Sequence, residues 1–99
     1  MKPIPGIDDR DMAKLAALLG PIEKDYRLSI FGSRARGSYE VFSDIDIIAE
    51  GETPIPLTLL ARIETDLSES DLPVKVDLID ARRVSAEFLE AISADLVRI

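Results

Sequence analysis

The feature that most restricts the fold of this chain is the alternation of short apolar segments with longer segments of helical periodicity. Arg27–Phe31, Asp44–Ala49 and Val74–Ile79 have the length and the apolar alternation of β-strands. The segments around them repeat apolar residues at steps of three and four, as amphipathic helices do. We therefore predict an α/β (α+β) fold, a small mixed sheet of three or four strands flanked by helices.

Four helical segments surround the predicted strands. The first extends from Ile7 to Tyr26, and we expect the pair Gly20 and Pro21 to end it, with a short turn of helix after them. Ser33–Gly37 is small and polar, which indicates a turn that leads into a short helix. The residues expected to face the core from the first helix are Met12, Leu15, Leu19 and Ile22.

The second half of the chain continues the alternation. Glu50–Pro56 contains a glycine and two prolines and is predicted to be a loop. The helix after it ends near Pro73, and a last helix runs from its cap Ser85 to Ile99. The inward residues of these two helices are predicted to be Leu57, Leu60, Ile63 and Leu67, and Phe88, Leu89, Ile92 and Leu96.

Composition excludes several classes of chemistry. The 99 residues suffice for one small domain, residues 1–99. Without cysteine and histidine there is no disulfide, no thiolate zinc site and no histidine base. A net charge of −7 argues against direct nucleic-acid binding, and no apolar run is long enough to span a membrane. No stretch of signal-peptide type follows Met1, so we expect a cytoplasmic protein.

Acidic residues are concentrated on two of the predicted strands. Asp44 and Asp46 are two residues apart, so their carboxylates leave the same face of a strand. Asp77 lies in the third predicted strand, on the face away from its valines. If these strands pair side by side, three carboxylates converge, an arrangement that like charges disfavour unless a cation lies between them. Carboxylates suit Mg²⁺ or Mn²⁺, so we predict a two-metal phosphoryl-transfer site.

A phosphate-binding segment is predicted directly upstream of these acids. Gly32 and Ser33 follow a strand and begin a short helix, where glycine allows close approach and free N–H groups favour an anion. Arg34 and Arg36 place two guanidinium groups there with no acid between them, and guanidinium suits phosphate oxygens. These residues together predict a phosphate cradle that faces the carboxylates.

The string Gly-Ser-Arg-Ala-Arg-Gly at 32–37, with Ser-Asp-Ile-Asp at 43–46, resembles the signature of the DNA-polymerase-β-like nucleotidyltransferases. In particular it is similar to the minimal nucleotidyltransferases (MNT) of bacteria and archaea, and the resemblance covers nearly the whole chain. It implies the polymerase-β-like fold. It also implies that Asp44 and Asp46 are catalytic and bind two Mg²⁺ ions, with Mn²⁺ as a substitute, and that Asp77 is the third ligand or the general base.

The same resemblance implies the substrates. Gly32 and Ser33 would hold the β- and γ-phosphates of ATP, and Arg34 and Arg36 would belong to the nucleotide-binding residues. Many members of this family are antitoxins that occur beside a HEPN-domain ribonuclease toxin. The resemblance thus implies transfer of AMP from ATP to a tyrosine of such a toxin, within a hetero-oligomer.

Two other functions and one structural interpretation remain open at this point. The chain could neutralise a toxin by contact alone, or it could modify a small molecule or an RNA end. A net charge of −7 disfavours binding to the phosphates of RNA. Taken singly, Asp44, Asp46 and Asp77 could be surface carboxylates, and Arg34 and Arg36 a solvated helix end. Tyr39 is expected to be a packing or rim residue beside the motif.

Overall fold

Helices and strands alternate along the chain. The computed structural model describes all residues 1–99. Its elements are α1 (Asp9–Glu23), β1 (Arg27–Phe31), α2 (Ser33–Arg36), β2 (Ile45–Glu50), α3 (Leu57–Glu69), β3 (Val76–Asp80), a 3-10 turn (Ala81–Arg83), α4 (Ala86–Ser93) and β4 (Val97–Arg98). No helix has both the length and the apolar character needed to cross a membrane.

The four strands form one mixed sheet in the order β3-β2-β1-β4. β1 is antiparallel to both β2 and β4, whereas β2 and β3 are parallel. The parallel pair requires a crossover, which α3 supplies between β2 and β3. The predicted fold class and the side-by-side pairing of the second and third strands are confirmed.

The sheet buries one face under two helices. Alternate strand residues such as Ile30, Ile47 and Leu78 point to this face and meet the apolar stripes of α1 and α3. The full set of buried core residues is Ile4, Met12, Leu15, Leu19, Ile22, Leu28, Ile30, Ile45, Ile47, Ala49, Ile55, Ile63, Leu67 and Leu78. The opposite face carries Asp46, Asp77 and Phe31, so the two predicted strand acids lie away from the core.

Helix α1 continues through the pair that was expected to end it. It begins at the predicted acidic turn, where the Asp8 side chain accepts a hydrogen bond from the Asp11 N–H at 2.8 Å. Pro21 then lies inside the helix, which runs on to Glu23. Proline costs the helix one backbone hydrogen bond, but continuing it buries Ile22, which is 1% exposed. Core burial at the end of the apolar stripe outweighs the local helix-breaking signal.

The C-terminal prediction is wrong in its extent. The predicted cap Ser85 is confirmed, since its Oγ accepts a hydrogen bond from the Phe88 N–H at 3.1 Å. However, α4 ends at Ser93, and Val97–Arg98 forms β4 on the free edge of β1. The residues of this segment that were expected to face inward are only half-buried, namely Phe88, Leu89, Ile92 and Leu96. An open strand edge competes for this chain end, because pairing satisfies backbone groups that a frayed helix terminus would leave to water.

The loop before α3 is more ordered than its composition indicates. Ile55 is fully buried and its N–H donates to Asp80 Oδ2 at 2.8 Å, whereas Leu57, expected in the core, is 66% exposed. Asp80 is 3% exposed, accepts the Arg82 N–H at 2.9 Å and pairs with Arg83 Nε at 3.2 Å. This one carboxylate thus joins the loop at 51–56 to the end of β3.

We expect Asp80→Ala to lower the free energy of unfolding by about 3 kcal/mol, because two backbone N–H groups lose their acceptor and Arg83 loses its counter-ion. In a domain of this size that corresponds to a fall in melting temperature of more than about 10 °C. Thermal and urea denaturation followed by circular dichroism would measure it.

Asp71→Ala is the matched control. Asp71 also pairs with a cation, Lys14 Nζ at 2.9 Å, but its side chain is 79% exposed. Exposed ion pairs contribute little, so this variant should denature close to the wild type. Equal effects of the two substitutions would contradict the role assigned to Asp80.

Candidate active site

The candidate site begins with a row of three side chains across three strands. In the ladder, Asp46 on β2 is opposite Asp77 on β3 and Phe31 on β1. Residues in register point to the same face, and adjacent strands lie only about 4.8 Å apart. Phe88 of α4 packs edge-to-face on Phe31, with 5.9 Å between the ring centres. The row therefore runs from two carboxylates to an apolar wall.

Asp44 lies next to this row, just before β2 begins. It is exposed, whereas Asp46 and Asp77 are half-buried. No group of three acidic side chains stands close enough together to hold a metal ion in this arrangement. The predicted convergence is therefore confirmed for the strand pairing of Asp46 with Asp77, while the three carboxylates stay apart.

The carboxyl of Asp46 lies where negative charge is unfavourable. Burial raises the pKa of Asp46 above its ordinary 3.8, and the charges of Asp77 and Asp44 raise this pKa further. Lys75 and Arg36 act on it in the opposite direction. The donor set consists of carboxylate oxygens in a place where negative charge is disfavoured, which fits a hard divalent cation.

Gly32 leaves room for Asp46. Its φ of 75° lies in the region that favours glycine, and a Cβ at this position would come 2.5 Å from Asp46 Oδ2. Ser33 then begins α2, whose first N–H groups have no partner within the helix. The predicted Gly-Ser segment is thus adjacent to the acid row, as a phosphate cradle requires.

Arg34 is enclosed by backbone carbonyls of the protein. Its side chain is 1% exposed, and Nη1 donates to the Pro5 carbonyl at 2.8 Å. Nη2 and Nε donate to the Ser43 carbonyl at 2.9 and 3.2 Å, and Nη2 also donates to the Val41 carbonyl at 3.3 Å. The ring of Tyr39 lies over the guanidinium at 5.0 Å, so Tyr39 is a packing residue. The expectation that Arg34 binds nucleotide does not fit this geometry, because its donors serve the loop that leads to Asp44.

Arg36 and Lys75 are the accessible cations beside the acids. Arg36 is 52% exposed and pairs with Asp95 at 3.4 Å, a contact weak enough to be exchanged for another anion. Lys75 Nζ lies 3.3 Å from Asp77 Oδ1. Lys75 was not among the predicted site residues, although its spacing of two from Asp77 indicates that the two side chains share a side of the strand.

A groove of about 750 Å³ extends along the outer edge of β3. Its wall is formed by the second half of α3 and the segment at 70–75, and both Lys75 and Asp77 line it. Ligand pockets commonly have volumes of about 300–1,000 Å³, so the groove is large enough for a nucleotide or an acceptor group.

The sequence matches a known protein family and a curated relative. Residues 23–99 match the family model described as "Polymerase beta, Nucleotidyltransferase". The chain is 35% identical to "Probable protein adenylyltransferase MntA" of Haemophilus influenzae over 86 residues, which are 87% of this chain and 75% of that protein. The matched region includes the strands that carry Asp46 and Asp77.

Solved structures share the fold. A toxin–antitoxin crystal structure with AMP-PNP superposes with a TM-score of 0.69 at 22% identity, covering 93% of this chain and 72% of that one. A chain provisionally described as a minimal nucleotidyltransferase gives a TM-score of 0.66 at 28% identity, covering 89% of this chain and 91% of that one. The sheet and its flanking helices are therefore those of nucleotidyltransferases.

The electrostatics of Asp46 predict an unusual dependence of stability on pH. Because its pKa is raised on folding, the folded protein binds this proton more tightly than the unfolded chain. The stability that results is fully present below the ordinary value of 3.8 and is lost as the pH rises through the raised pKa. Asp46→Asn should therefore stabilise the protein near neutral pH by at most about 1 kcal/mol, after allowance for screening by solvent.

Melting temperatures from about pH 3 to pH 7 would test this, with the gain expected to vanish at the acidic end. Asp66→Asn serves as control, because Asp66 is exposed on α3 and has no ion pair. If Asp46→Asn destabilised the protein at neutral pH, the proposed electrostatic cost of ionised Asp46 would be wrong.

The different environments of the two arginines of α2 predict that their substitution by lysine changes the free energy of unfolding by very different amounts. Arg34→Lys keeps the charge but cannot reach three carbonyl groups, so we expect a loss of about 2–4 kcal/mol in the free energy of unfolding. Arg36→Lys, on the same short helix, should change it by less than about 0.5 kcal/mol. Urea denaturation would measure both, and a small effect of Arg34→Lys would show that the loop does not depend on this guanidinium.

Proposed function

The chain belongs to the polymerase β nucleotidyltransferase family, and we propose that it transfers AMP from ATP to a hydroxyl of a partner toxin, acting as its antitoxin. The single observation that carries the proposal is the pair of register-matched carboxylates, Asp46 and Asp77, beside the Gly32 segment. The MntA relative, named as a protein adenylyltransferase, supports AMP as the transferred group and protein as the acceptor.

Divalent cations fit the donor set of this site. We assign Asp44, Asp46 and Asp77 as their ligands, with two Mg²⁺ ions as the expected occupants. When bound, such ions would activate the attacking oxygen and neutralise charge on the triphosphate. Their charge would also offset the burial and the neighbouring negative charges that raise the pKa of Asp46, so magnesium should stabilise the folded chain.

The nucleotide would lie between α2 and the acid row. Gly32 allows the triphosphate to approach the backbone, and Ser33 offers its hydroxyl and an N–H group. Arg36 is exposed and within electrostatic range of Asp46, so it can exchange Asp95 for a phosphate oxygen. Arg34 takes no part in this contact and instead fixes the preceding loop.

The chemical step is an in-line displacement. The acceptor hydroxyl oxygen forms a bond to the α-phosphorus, the bond from that phosphorus to the bridging oxygen breaks, and pyrophosphate leaves. Asp77 is placed to orient the hydroxyl or to take its proton, because it lies opposite Asp46 and also lines the open groove.

The acceptor is proposed to be a tyrosine of a HEPN ribonuclease toxin, bound to this chain in the cytoplasm as a hetero-oligomer. Structural neighbours include a toxin–antitoxin complex with AMP-PNP, which supports both an ATP-like ligand and a toxin partner. The resemblance at Gly32–Asp46 supports the HEPN class of toxin.

The decisive experiment incubates the chain with Mg²⁺-ATP and the toxin encoded by the adjacent gene, followed by intact-mass spectrometry. We expect the toxin to gain one or more AMP units on a tyrosine and to lose ribonuclease activity. Asp44→Asn should abolish the mass gain while leaving the fold intact, because Asp44 is exposed and makes no hydrogen bond that the fold requires.

Asp66→Asn is the matched control and should retain full transfer. Magnesium should raise the melting temperature of the wild type and have less effect on Asp46→Asn. If the toxin were neutralised equally by wild type and Asp44→Asn with no added mass, neutralisation by contact alone would replace the proposal. A mass gain on RNA ends or on a small molecule would show that the chain is a nucleotidyltransferase with that acceptor instead of a toxin.

A further inference from the structure

Two apolar side chains stand exposed beside the candidate active site. Val41 is 78% exposed and Phe42 is 79% exposed, and they are the two adjacent residues among the large exposed hydrophobics. The other two phenylalanines of the chain, Phe31 and Phe88, pack on each other. Single exposed apolar residues are common, but a contiguous apolar tip next to a reaction site indicates a binding surface.

The tip is held in place by its own turn. The Ser43 N–H donates to the Glu40 carbonyl at 3.1 Å, and the Glu40 N–H donates to Ser43 Oγ at 2.7 Å. Each end of the turn is thus tied to the other, so Val41 and Phe42 occupy its apex. A closed turn of this kind cannot fold its apex residues back onto the core without breaking these bonds.

The buried Arg34 anchors this turn to the body of the domain. Its Nη2 donates to the carbonyls of both Val41 and Ser43, and its Nη1 donates to Pro5. A flexible loop would lose conformational entropy on binding, whereas a loop fixed in advance loses little. The tip is therefore arranged for association.

The position of the tip connects it to the proposed reaction. Phe42 precedes Asp44 by two residues, a distance of at most about 7 Å along the chain. A macromolecule that buried Phe42 would thereby place its own surface against Asp44 and the acid row. A nucleotide alone would not need such an anchor, because the Gly32 segment and Arg36 already face the site.

We propose that Val41 and Phe42 form the docking tip for the protein substrate, which receives Phe42 in an apolar pocket beside its acceptor hydroxyl. The inference rests on the proposed function, since it names where that partner binds. Glu40 and Asp44 flank the tip and the whole chain carries −7, so the rim of the partner's pocket should be basic.

The test measures binding separately from transfer. Wild type, Phe42→Ser and Val41→Ser would be titrated calorimetrically with the adjacent-gene toxin, and AMP transfer would be followed by intact mass. We expect Phe42→Ser to weaken binding roughly 30-fold, as for a buried aromatic anchor, and Val41→Ser to weaken it less. The melting-temperature rise with Mg²⁺-ATP should be unchanged in both, because neither side chain belongs to the nucleotide site.

Leu57→Ser is the matched control. Leu57 is also an exposed apolar residue, 66% exposed, but it begins α3 beyond the far end of β2 from Asp44. The Leu57→Ser variant should bind and modify the toxin as the wild type does. Equal weakening by Leu57→Ser and Phe42→Ser would mean that apolar surface in general matters, which would overturn the assignment of a specific tip.

The outcomes separate this inference from the proposed function. Transfer of AMP to the toxin with unchanged affinity in Phe42→Ser would overturn the docking tip and leave the proposed function standing. Tight binding that depends on Phe42 without any added AMP would keep the tip and refute transfer. A dimer of the chain alone, seen by sedimentation and lost in Phe42→Ser, would assign the tip to self-association and overturn the inference.

Discussion

The buried guanidinium of Arg34 is the interaction on which the arrangement around the site depends. It joins three separate parts of the chain, namely α2, the N-terminal segment at Pro5 and the turn that ends at Ser43. A lysine offers its donors from a single nitrogen, whereas the planar guanidinium offers donors from three nitrogens in fixed directions. The residue that follows the clamped Ser43 is Asp44, so the same hydrogen bonds that close the loop also determine where this carboxylate begins.

A second constraint is the electrostatic cost of placing acids side by side. The parallel register sets Asp46 against Asp77, and the pKa of Asp46 is raised by burial and by its neighbours. Lys75 and Arg36 reduce this cost without removing it, because both are exposed and screened by water. The large apolar core on the other face stabilises the sheet enough for this strain to be tolerated. A divalent cation bound between these acids would lower this cost.

Sequence periodicity predicted the elements that have a clear hydrophobic pattern of their own. The alternation in Asp44–Ala49 and Val74–Ile79 was sufficient to find β2 and β3 and to place Asp46 and Asp77 on one face. It could not find β4, because two residues carry no periodicity and their strand exists only through pairing with β1.

Arg34 shows the same limit at the site itself. Locally it is an arginine on a four-residue helix, which indicates a solvated position. It is buried because carbonyls 29 and 9 residues away, at Pro5 and Ser43, surround its guanidinium. Two arginines separated by one residue thus lie in different environments, one buried and one exposed, and only the tertiary fold distinguishes them. Pro21 is a parallel case, where the burial of Ile22 overrides a local helix-breaking signal.

The turn at 40–43 links the proposed docking residue, Phe42, to the proposed site residue, Asp44. One end of it carries Phe42 into solvent, and its other end leads to Asp44. Arg34 donates hydrogen bonds to the carbonyls of both Val41 and Ser43. The loop therefore resists displacement when a partner contacts the tip. Binding energy gained at Phe42 is therefore available to position an acceptor against the acid row, which is how contacts remote from the reacting atoms contribute to rate. The rigidity of one buried arginine is what makes this coupling physically possible.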